Sequence, residues 1–232
     1  VFEDVKQLVL SCIEGTNVCI FAYGQTGSGK TFTMGEPLDM LAAGDGVIAR
    51  ALQDVFERSR AANDATIGLS YLEVYNEAVY DLLAADDEPL IVREDASGNV
   101  VVPGLTEATV AAVADAGRLL HRGALRRRTG ATQMNDRSSR SHALLQVRVR
   151  REGGAVGKLV LVDLAGSERA ARTRAQGARL REGIEINKGL LALGNVVAAL
   201  AANEERKGPR RHAPFRDSKL TRLLKDSLGG TA

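Results

Sequence analysis

The sequence is poor in aromatic residues and cysteine: it has no tryptophan, and aromatic residues make up 4% of its 232 residues. Its two cysteines, Cys12 and Cys19, have a spacing that suits neither a metal cluster nor a redox pair, so we expect both to be reduced core residues. We find no apolar run that approaches the ~18 residues of a membrane-spanning helix, and no basic-then-apolar leader with a small-residue cleavage site in this sequence. These absences favour an intracellular protein that does not enter a membrane.

The rest of the composition is typical of an ordinary α/β domain. A chain of 232 residues can bury a sizeable core, and its formal net charge is only +2. Because the whole molecule carries so little charge, an acidic partner would have to bind a local basic patch. The chain begins at Val1 without a lead-in and stops just after a predicted helix, so we expect it to be a piece of a larger domain.

A glycine-rich loop follows a short apolar run. Residues 18–23 predict a strand that leads directly into GQTGSGKT, which fits the pattern G-x-x-x-x-G-K-[ST]. The glycines let the backbone approach an anion, and a helix beginning near Lys30 would present its positive end to phosphates. Lys30 can reach β- and γ-phosphates, and the Thr31 hydroxyl can bind Mg²⁺. The predicted phosphate-binding residues are Gly24, Gln25, Thr26, Gly27, Ser28, Gly29, Lys30 and Thr31.

Other classes of protein contain similar loops. A glycine-rich turn can join a strand to a helix without binding a ligand, but the four constrained positions together make that interpretation weak. Unrelated P-loop enzymes are the remaining rivals. A GTPase would normally need an N-K-x-D segment, which the sequence lacks, and a nucleotide kinase would need an arginine-rich lid, which we do not find.

A polar segment at residues 135–142, NDRSSRSH, precedes the alternating strand 143–150. Its hydroxyls, arginines and histidine suit a loop that contacts phosphate and Mg²⁺, although by itself the segment could equally be a serine-rich turn.

The apolar strand 158–164 carries an acidic residue, Asp163, near its end. This is the position where a P-loop NTPase holds its Mg²⁺, usually through water. Shortly after it, Gly166 can offer an N–H to a γ-phosphate. Glu168 can pair with Arg140, and we expect that pair to form or break as the γ-phosphate comes and goes.

Hydrophobic periodicity predicts the other elements. We expect helices over residues 5–13, 47–56, 109–128, 185–202 and 218–228, strands over 18–23, 66–75, 143–150 and 158–164, a helical turn over 76–83, a hairpin over 91–105, and loops over 169–183 and 206–212. For the arginines at the end of the third helix, a solvated face is favoured over a binding site; they are Arg126, Arg127 and Arg128.

Several longer motifs resemble those of the kinesin motor domains. GQTGSGKT, NDRSSRSH, DLAGSE, INKGLLALGN and FRDSKLTRLLKDSLGG occur in the family's order, and the weaker matches YLEVYNEAVYDLL and VPGL extend the likeness over essentially the whole chain. The resemblance implies a P-loop NTPase fold of the α/β class, with helices on both faces of a central, mostly parallel or mixed β-sheet. It also implies that residues 1–232 are a partial motor domain, truncated at both ends, which lacks the first strand with its adenine motif and the final strand, helix and neck.

The resemblance implies how nucleotide and metal are bound. Lys30 and the loop amides would bind the phosphates of ATP or ADP, and Phe32 would lie against the adenine ring. Thr31 and Ser139 would bind Mg²⁺ directly, and Asp163 would reach it through water.

The resemblance also implies how the site would hydrolyse ATP. Ser138 would help to position the attacking water and relay its proton, and Gly166 would sense the γ-phosphate. A salt bridge between Arg140 and Glu168 would close the site, and Asn187 would stabilise that closed state. The implied activity is a microtubule-stimulated ATPase without a covalent intermediate.

The implied partner is the microtubule, whose surface is acidic. In the family, the helix at about 185–202 and the loops around it lie on this surface. The candidate contacts are Lys188, Lys207, Arg210, Arg211, Arg216, Lys219 and Arg222, with the hairpin near Arg93 as a second region. The resemblance further implies a cytoplasmic protein on the microtubule cytoskeleton, a dimer through a stalk outside these residues, and no nucleic-acid contact through this domain.

Two alternatives stay open at this point. GLLAL, GVIARALQDVF and LREGIEIN favour a chromokinesin-like class, whereas VFEDVKQLV and NVCIFAYGQTGSGKTFTM favour the C-terminal-motor class. The alternative to an active motor is a microtubule-binding module that has lost hydrolysis. Against it, residue types compatible with catalysis occupy every position where decay is expected: Lys30, Thr31, Ser138, Ser139, Arg140, Asp163, Gly166 and Glu168.

Overall fold

The computed structural model describes residues 1–35, 46–62, 65–129, 137–154, 156–168, 177–204 and 209–230. Its helices are α1 (Phe2–Ile13), α2 (Lys30–Met34), α3 (Val47–Ala62), α4 (Val113–Thr129), α5 (Ala178–Glu204) and α6 (Lys219–Lys225). Its strands are β1 (Asn17–Ala22), β2 (Ala65–Tyr75), β3 (Ala78–Asp81), β4 (Arg93–Glu94), β5 (Val100–Val101), β6 (Ala108–Val110), β7 (His142–Arg151) and β8 (Val156–Asp163). Two 3-10 turns, Arg137–Arg140 and Phe215–Asp217, and a π-helical turn, Asp226–Gly230, complete the described elements.

The central sheet is mixed, as predicted. Its strand order is β1-β8-β7-β2-β3, and β6 pairs with β2 beside this path. The β1–β8 pair is parallel, whereas the other described pairs of this sheet are antiparallel. The predicted hairpin is confirmed as a separate two-stranded sheet of β4 and β5.

The sheet is buried on both faces, because its central strands alternate their apolar side chains between two cores. In β8, Leu159 and Leu161 belong to the core formed with α1, α3 and α4, whereas Val160 and Val162 belong to the core formed with α5 and α6. A run of consecutive apolar residues, such as 159–162 in β8, is expected where helices cover both faces of a sheet. This confirms the predicted arrangement of helices on both faces.

The pairing of β1 with β8 positions the candidate site. The register places Ala22, the last residue of β1, opposite Asp163, the last residue of β8. Because the two strands are parallel, their carboxyl ends lie at one edge of the sheet. The glycine-rich loop that follows β1 therefore begins beside the acidic residue that ends β8.

Two predicted elements are wrong. Residues 76–83 do not form a helical turn: Asn76 and Glu77 have positive φ values of 49° and 56° and connect β2 to β3 as a hairpin. A two-residue turn with positive φ matches the twist of an antiparallel pair. The segment 169–183 is not a loop throughout, because α5 begins at Ala178. Residues 169–176 lie outside the described part of the chain.

The helix α5 contains a long apolar stretch that the sequence analysis did not identify. Residues 181–204 are long and apolar enough, by length and composition, to cross a membrane, with a mean hydropathy of 1.4 over the best window. The sequence-based reading missed this stretch. In the structure, Leu190 and Leu193 on α5 pack into the core, so buried side chains contribute to its hydropathy.

Both cysteines lie among core elements without a disulfide. Cys12 is fully buried in α1, and Cys19 is half-buried in β1. Burial raises the pKa of each thiol to about 12. A thiol with such a pKa stays protonated near neutral pH and is a poor nucleophile, which agrees with the predicted structural role.

Candidate active site

The glycine-rich loop has the geometry of an anion-binding turn. Gly27 and Gly29 have φ values of 79° and 87°, a region that other residues enter only with strain. Helix α2 begins at Lys30, as predicted. The Lys30 ammonium lies over the loop and donates to the carbonyl oxygen of Gln25, 2.9 Å away.

Oxygen atoms suited to a divalent cation meet at the start of α2. The Thr31 hydroxyl donates to Oδ2 of Asp163 at 2.9 Å, across the edge where β1 and β8 end. Within the described residues, Oδ1 of Asp163 is buried and has no hydrogen-bond partner. A hydroxyl beside an unsatisfied carboxylate oxygen fits the hard oxygen chemistry of Mg²⁺. Among the residues that the structure describes, no group of three or more His, Cys, Asp or Glu side chains could hold a metal ion.

Backbone hydrogen bonds join three segments around the loop. The Gly166 N–H donates to the Ser139 carbonyl at 3.0 Å, and the Ser167 N–H donates to the Gly24 carbonyl at 3.1 Å. A side chain at Gly166 would displace the Glu168 carboxylate, because a Cβ there would lie too close to both of its oxygens and to the Thr26 hydroxyl. The segment after β8 is thus held against the loop and against the 3-10 turn that contains Ser139.

The Glu168 carboxylate binds the glycine-rich loop directly. It accepts a hydrogen bond from the Thr26 N–H at 2.8 Å and another from the Thr26 hydroxyl at 2.6 Å. Partial burial would raise the pKa of Glu168, but the hydrogen bonds from Thr26 and the nearby Lys30 charge outweigh it and lower the pKa. Glu168 is therefore ionised and occupies a position that faces the loop amides.

The expected pair between Arg140 and Glu168 is not formed in this structure. Instead, Nη1 of Arg140 lies 3.0 Å from Oε2 of Glu182 on α5, and no ion pair joins Arg140 to Glu168 among the described residues. The other carboxylate oxygen of Glu182 accepts a hydrogen bond from the Tyr75 hydroxyl at 2.7 Å. The physical reason is that Glu168 is already bound by Thr26, whereas Glu182 lies within reach of the guanidinium.

The solvated face predicted for Arg127 is wrong. The Arg127 side chain is buried and donates from Nη2 to the Ser141 carbonyl at 2.9 Å and from Nε to the Ser141 hydroxyl at 3.2 Å. Its guanidinium also lies 3.4 Å from Asp163 and 3.8 Å from Glu73, which is buried in β2. Two buried carboxylates attract Arg127, whereas Arg126 contacts Asp87 at the surface.

His142 connects the start of β7 to the segment after β8. Its Nδ1 accepts a hydrogen bond from the Ala165 N–H at 3.1 Å. Burial, together with the nearby Arg127 charge, lowers the pKa of His142 to about 3. The imidazole is therefore neutral at physiological pH, with its proton on Nε2.

The other predicted site residues differ in how far their side chains are exposed to solvent. Phe32 on α2 is 89% exposed, and Asn187 on α5 is half-buried. Ser139 is half-buried in its turn, whereas the structure does not describe the side chain of Ser138. Among the basic candidates, exposed side chains are found for Lys188, Arg210, Arg211 and Arg216. Lys219 and Arg222 are half-buried, and Lys207 lies outside the described residues.

Two of these basic side chains are already paired within the molecule. Arg216 lies 3.0 Å from Glu94 of the β4–β5 hairpin, and Lys188 lies 3.7 Å from Glu185 on the same helix. Glu94 also pairs with Lys225 at 3.4 Å. The Arg216 hydrogen bond, followed by that of Lys225, lowers the pKa of the Glu94 carboxyl.

Sequence reasoning missed three residues that organise the site. Arg127, Glu182 and Tyr75 all act through contacts between distant elements. The available signal for Arg127 was its position at the end of a helix just before NDRSSRSH. For Glu182 and Tyr75 the local sequence gave none, because their contact joins residues 107 positions apart.

The sequence and the fold together identify the family. A family model described as kinesin motor domain matches residues 1–232. The chain belongs to the kinesin motor domain family. Similar relatives include the kinesin-like protein KIN-4C of Arabidopsis thaliana, 43% identical over 98% of this chain, and the kinesin-like protein KIF27 of Rattus norvegicus, 46% identical over 98%. The kinesin-like protein KIN-14G of Arabidopsis thaliana is 45% identical over the whole chain.

Solved kinesin structures resemble this chain across its length. A fast kinesin superposes with a TM-score of 0.83 at 42% identity, and the match covers 97% of this chain and 65% of that one. A KIF14 dimer, in a two-heads-bound state with AMP-PNP in complex with a microtubule, superposes with a TM-score of 0.82 at 38% identity, over 99% of this chain and 67% of that one. The kinesin chain spans about a fifth of the length of the curated relatives KIN-4C and KIF27.

Proposed function

We propose that residues 1–232 are part of the motor domain of a microtubule motor and that they hydrolyse ATP. The observation that carries this proposal is the meeting of three segments at one edge of the sheet. Thr31 contacts Asp163 at 2.9 Å, Gly166 contacts Ser139 at 3.0 Å, and Glu168 contacts the glycine-rich loop through Thr26. Membership of the kinesin motor domain family supports the proposal.

The loop between β1 and α2 binds the phosphates of ATP and ADP. Its N–H groups and the positive end of α2 favour anions, and Lys30 moves from the Gln25 carbonyl to the β- and γ-phosphates. The exposed ring of Phe32 lies against the adenine. The loop residues that contribute are Gly24, Gln25, Thr26, Gly27, Ser28, Gly29, Lys30 and Thr31.

The hydroxyls of Thr31 and Ser139 would hold Mg²⁺, and Asp163 would bind it through water. The unsatisfied Oδ1 of Asp163 supports this assignment. When bound, the metal ion neutralises negative charge on the phosphate oxygens. Arg127, which contacts both Asp163 and the Ser141 carbonyl, keeps the Asp163 carboxylate in place.

Hydrolysis proceeds by in-line attack of water on the γ-phosphate. Ser138 helps to position the water and takes part in relaying its proton, and the Gly166 N–H exchanges its bond to Ser139 for one to the γ-phosphate. Arg140 and Glu168 then pair and close the site, and Asn187 stabilises the closed state. Positioning and electrostatic stabilisation supply most of the rate acceleration.

The helix α5 and the basic segment that follows it bind the microtubule. Exposed cations there complement an acidic surface, and binding through them weakens as salt rises. The residues concerned are Lys188, Lys207, Arg210, Arg211, Arg216, Lys219 and Arg222. The protein acts in the cytoplasm on microtubules and dimerises through a stalk outside residues 1–232, without contacts to nucleic acid or membrane through this domain.

The proposal is tested by steady-state ATPase measurements with and without polymerised tubulin, on residues 1–232 and on the full-length protein. Stimulation by microtubules in either chain supports the motor function. If the full-length protein binds ATP but shows no stimulation, the decayed, microtubule-binding alternative replaces it.

A further inference from the structure

We propose that Glu182, held in place by Tyr75, is a positioning residue that competes with Glu168 for Arg140. In the state described here, the Arg140–Glu182 pair ties α5 to the 3-10 turn that contains Ser139. Closing the site around the γ-phosphate transfers Arg140 to Glu168 and releases α5. This inference rests on the proposed ATPase function and adds to it two residues, Glu182 and Tyr75, that control the position of Arg140.

In this structure the carboxylates of Glu182 and Glu168 both have hydrogen-bond partners, and, among the described residues, Arg140 forms an ion pair with Glu182 only. Oε2 of Glu182 lies 3.0 Å from Nη1 of Arg140, and Oε1 accepts the Tyr75 hydroxyl hydrogen bond at 2.7 Å. Glu168 is bound at both oxygens by Thr26. The two pairings therefore form one complete arrangement, in which Arg140 binds the helix and Glu168 binds the glycine-rich loop.

The alternative arrangement is favoured by the contact between the two segments that carry Arg140 and Glu168. Ser139 accepts the Gly166 N–H bond at 3.0 Å, so the backbones that carry Arg140 and Glu168 run side by side. When Gly166 turns its N–H towards a γ-phosphate, Glu168 is carried with it and leaves Thr26. Arg140 can then pair with either Glu168 or Glu182. The pair that forms determines whether α5 stays bound to the turn that contains Ser139.

Partial burial strengthens the electrostatic attraction between Arg140 and Glu182. The Arg140 side chain is 28% exposed and that of Glu182 is 16% exposed, so water screens the pair less than it would at the surface. Glu182 begins the part of α5 that leads to Asn187 and Lys188. Loss of this contact therefore removes the ion pair between the start of α5 and the turn that contains Ser139, and the Tyr75 hydrogen bond to Glu182 remains.

The substitution Glu182→Gln tests the competition, because it removes the charge and keeps an oxygen for Tyr75. Without the competing charge, Arg140 pairs more readily with Glu168, and the closed state becomes more populated. We expect the affinity for a non-hydrolysable ATP analogue to rise about three- to fivefold, the effect of losing one partly exposed ion pair. The affinity for ADP, which lacks a γ-phosphate, should change less than about twofold on the same scale.

Two further variants separate this role from a structural one. Tyr75→Phe removes the hydroxyl that holds Glu182 and should shift the analogue affinity in the same direction by a smaller factor. Glu185→Gln is the matched control: it lies one turn along α5 and pairs with Lys188, so it should leave both affinities unchanged. In a Glu168→Gln background the effect of Glu182→Gln should disappear, because Arg140 has no charged alternative.

The experiment is a fluorescence titration of AMP-PNP and ADP on the wild-type chain and these variants, with thermal melting to check folding. Tighter AMP-PNP binding in Glu182→Gln that depends on Glu168 supports the inference. Unchanged or weaker AMP-PNP binding in a folded Glu182→Gln variant, or an equal shift for both nucleotides, overturns it. If the folded wild-type chain binds neither nucleotide, the proposed ATPase function fails and this inference fails with it.

Discussion

The Lys30 ammonium donates to the Gln25 carbonyl, so it lies over the loop that it is proposed to serve. Because its partner is a nearby carbonyl in an exposed turn, Lys30→Ala leaves no buried charge unpaired. We predict that the affinity for ADP and AMP-PNP falls about 10- to 100-fold, the range expected for lost charge-assisted hydrogen bonds. A fluorescent-nucleotide titration measures it. Unchanged affinity in a folded variant would contradict the phosphate-loop assignment.

Arg127 neutralises two buried carboxylates, so its removal should destabilise the fold as well as the site. In Arg127→Met, Glu73 and Asp163 lose a buried cation, and we predict that the free energy of unfolding falls by about 3 kcal/mol. Arg127→Lys keeps the charge but loses the forked contact to Ser141, so its free energy of unfolding should fall by less than that of Arg127→Met. Urea unfolding of both variants measures the difference. A stability equal to that of the wild-type chain in Arg127→Met would contradict this account.

Site residues could be predicted from the sequence where their role depends on the spacing of nearby residues, as in the glycine-rich loop. The contact between Thr31 and Asp163 agrees with the expectation that a glycine-rich loop and an acidic strand end lie together. The environment of Arg127 could not be predicted, because neighbouring arginines have the same local context and only the fold places Arg127 in the core and Arg126 at the surface. Glu182 was missed for a similar reason, since its two partners lie on β2 and on the turn before β7.

The strand β7 and the segment after β8 are joined by a histidine that must stay neutral. His142 has an ordinary pKa of 6.5 and a pKa of about 3 in the folded chain, where it is buried. Because the folded pKa is the lower one, this contribution to stability is present above pH 6.5 and is lost as the pH falls from about 6.5 towards 3. Each pH unit in this window should remove roughly 1 kcal/mol of stability through His142.

The substitution His142→Asn provides the comparison for this pH dependence. Asn can still accept the Ala165 N–H bond, but it does not titrate. We predict that urea unfolding at pH 7 and pH 5 shows a smaller loss of stability in His142→Asn than in the wild-type chain. Equal losses in the two chains would mean that other groups cause the acid sensitivity.

Elements with strong periodicity were predicted well, and elements fixed by tertiary contacts were not. The strands β7 and β8 lie within one or two residues of their predicted bounds, because their alternating or continuous apolar patterns have few alternatives. β3 was mistaken for a helical turn, since four residues cannot establish a period, and pairing with β2 decided their conformation. The first turns of α5 were predicted as a loop, although a contact from Tyr75 to Glu182 now holds them.

Two exposed arginines follow α5, on the surface that is proposed to bind an acidic partner. Arg210 and Arg211 are exposed, and the Arg211 backbone, not its guanidinium, makes the hydrogen bonds to Asn203. Reversing both charges to glutamate should therefore keep the fold. We predict that microtubule affinity falls by about tenfold at low salt and depends less on salt, as measured by co-sedimentation.

The matched control reverses two exposed arginines on α3, across the sheet from α5. Arg58→Glu with Arg60→Glu makes the same change in net charge, so an equal loss of microtubule affinity would show that net charge alone explains the effect. If ATP turnover without microtubules falls as much as microtubule affinity in the Arg210 and Arg211 variant, that variant has misfolded.

The parallel register of β1 with β8 also makes the site a reporter of correct folding. A slip of one residue would move Asp163 by roughly 3.3 Å along the strand relative to Ala22 and turn its side chain to the opposite face. A misregistered chain could stay compact and still fail to bring Asp163 to Thr31. The fraction of a preparation that binds nucleotide would then count the molecules whose strands are correctly aligned, which bulk secondary-structure measurements do not distinguish.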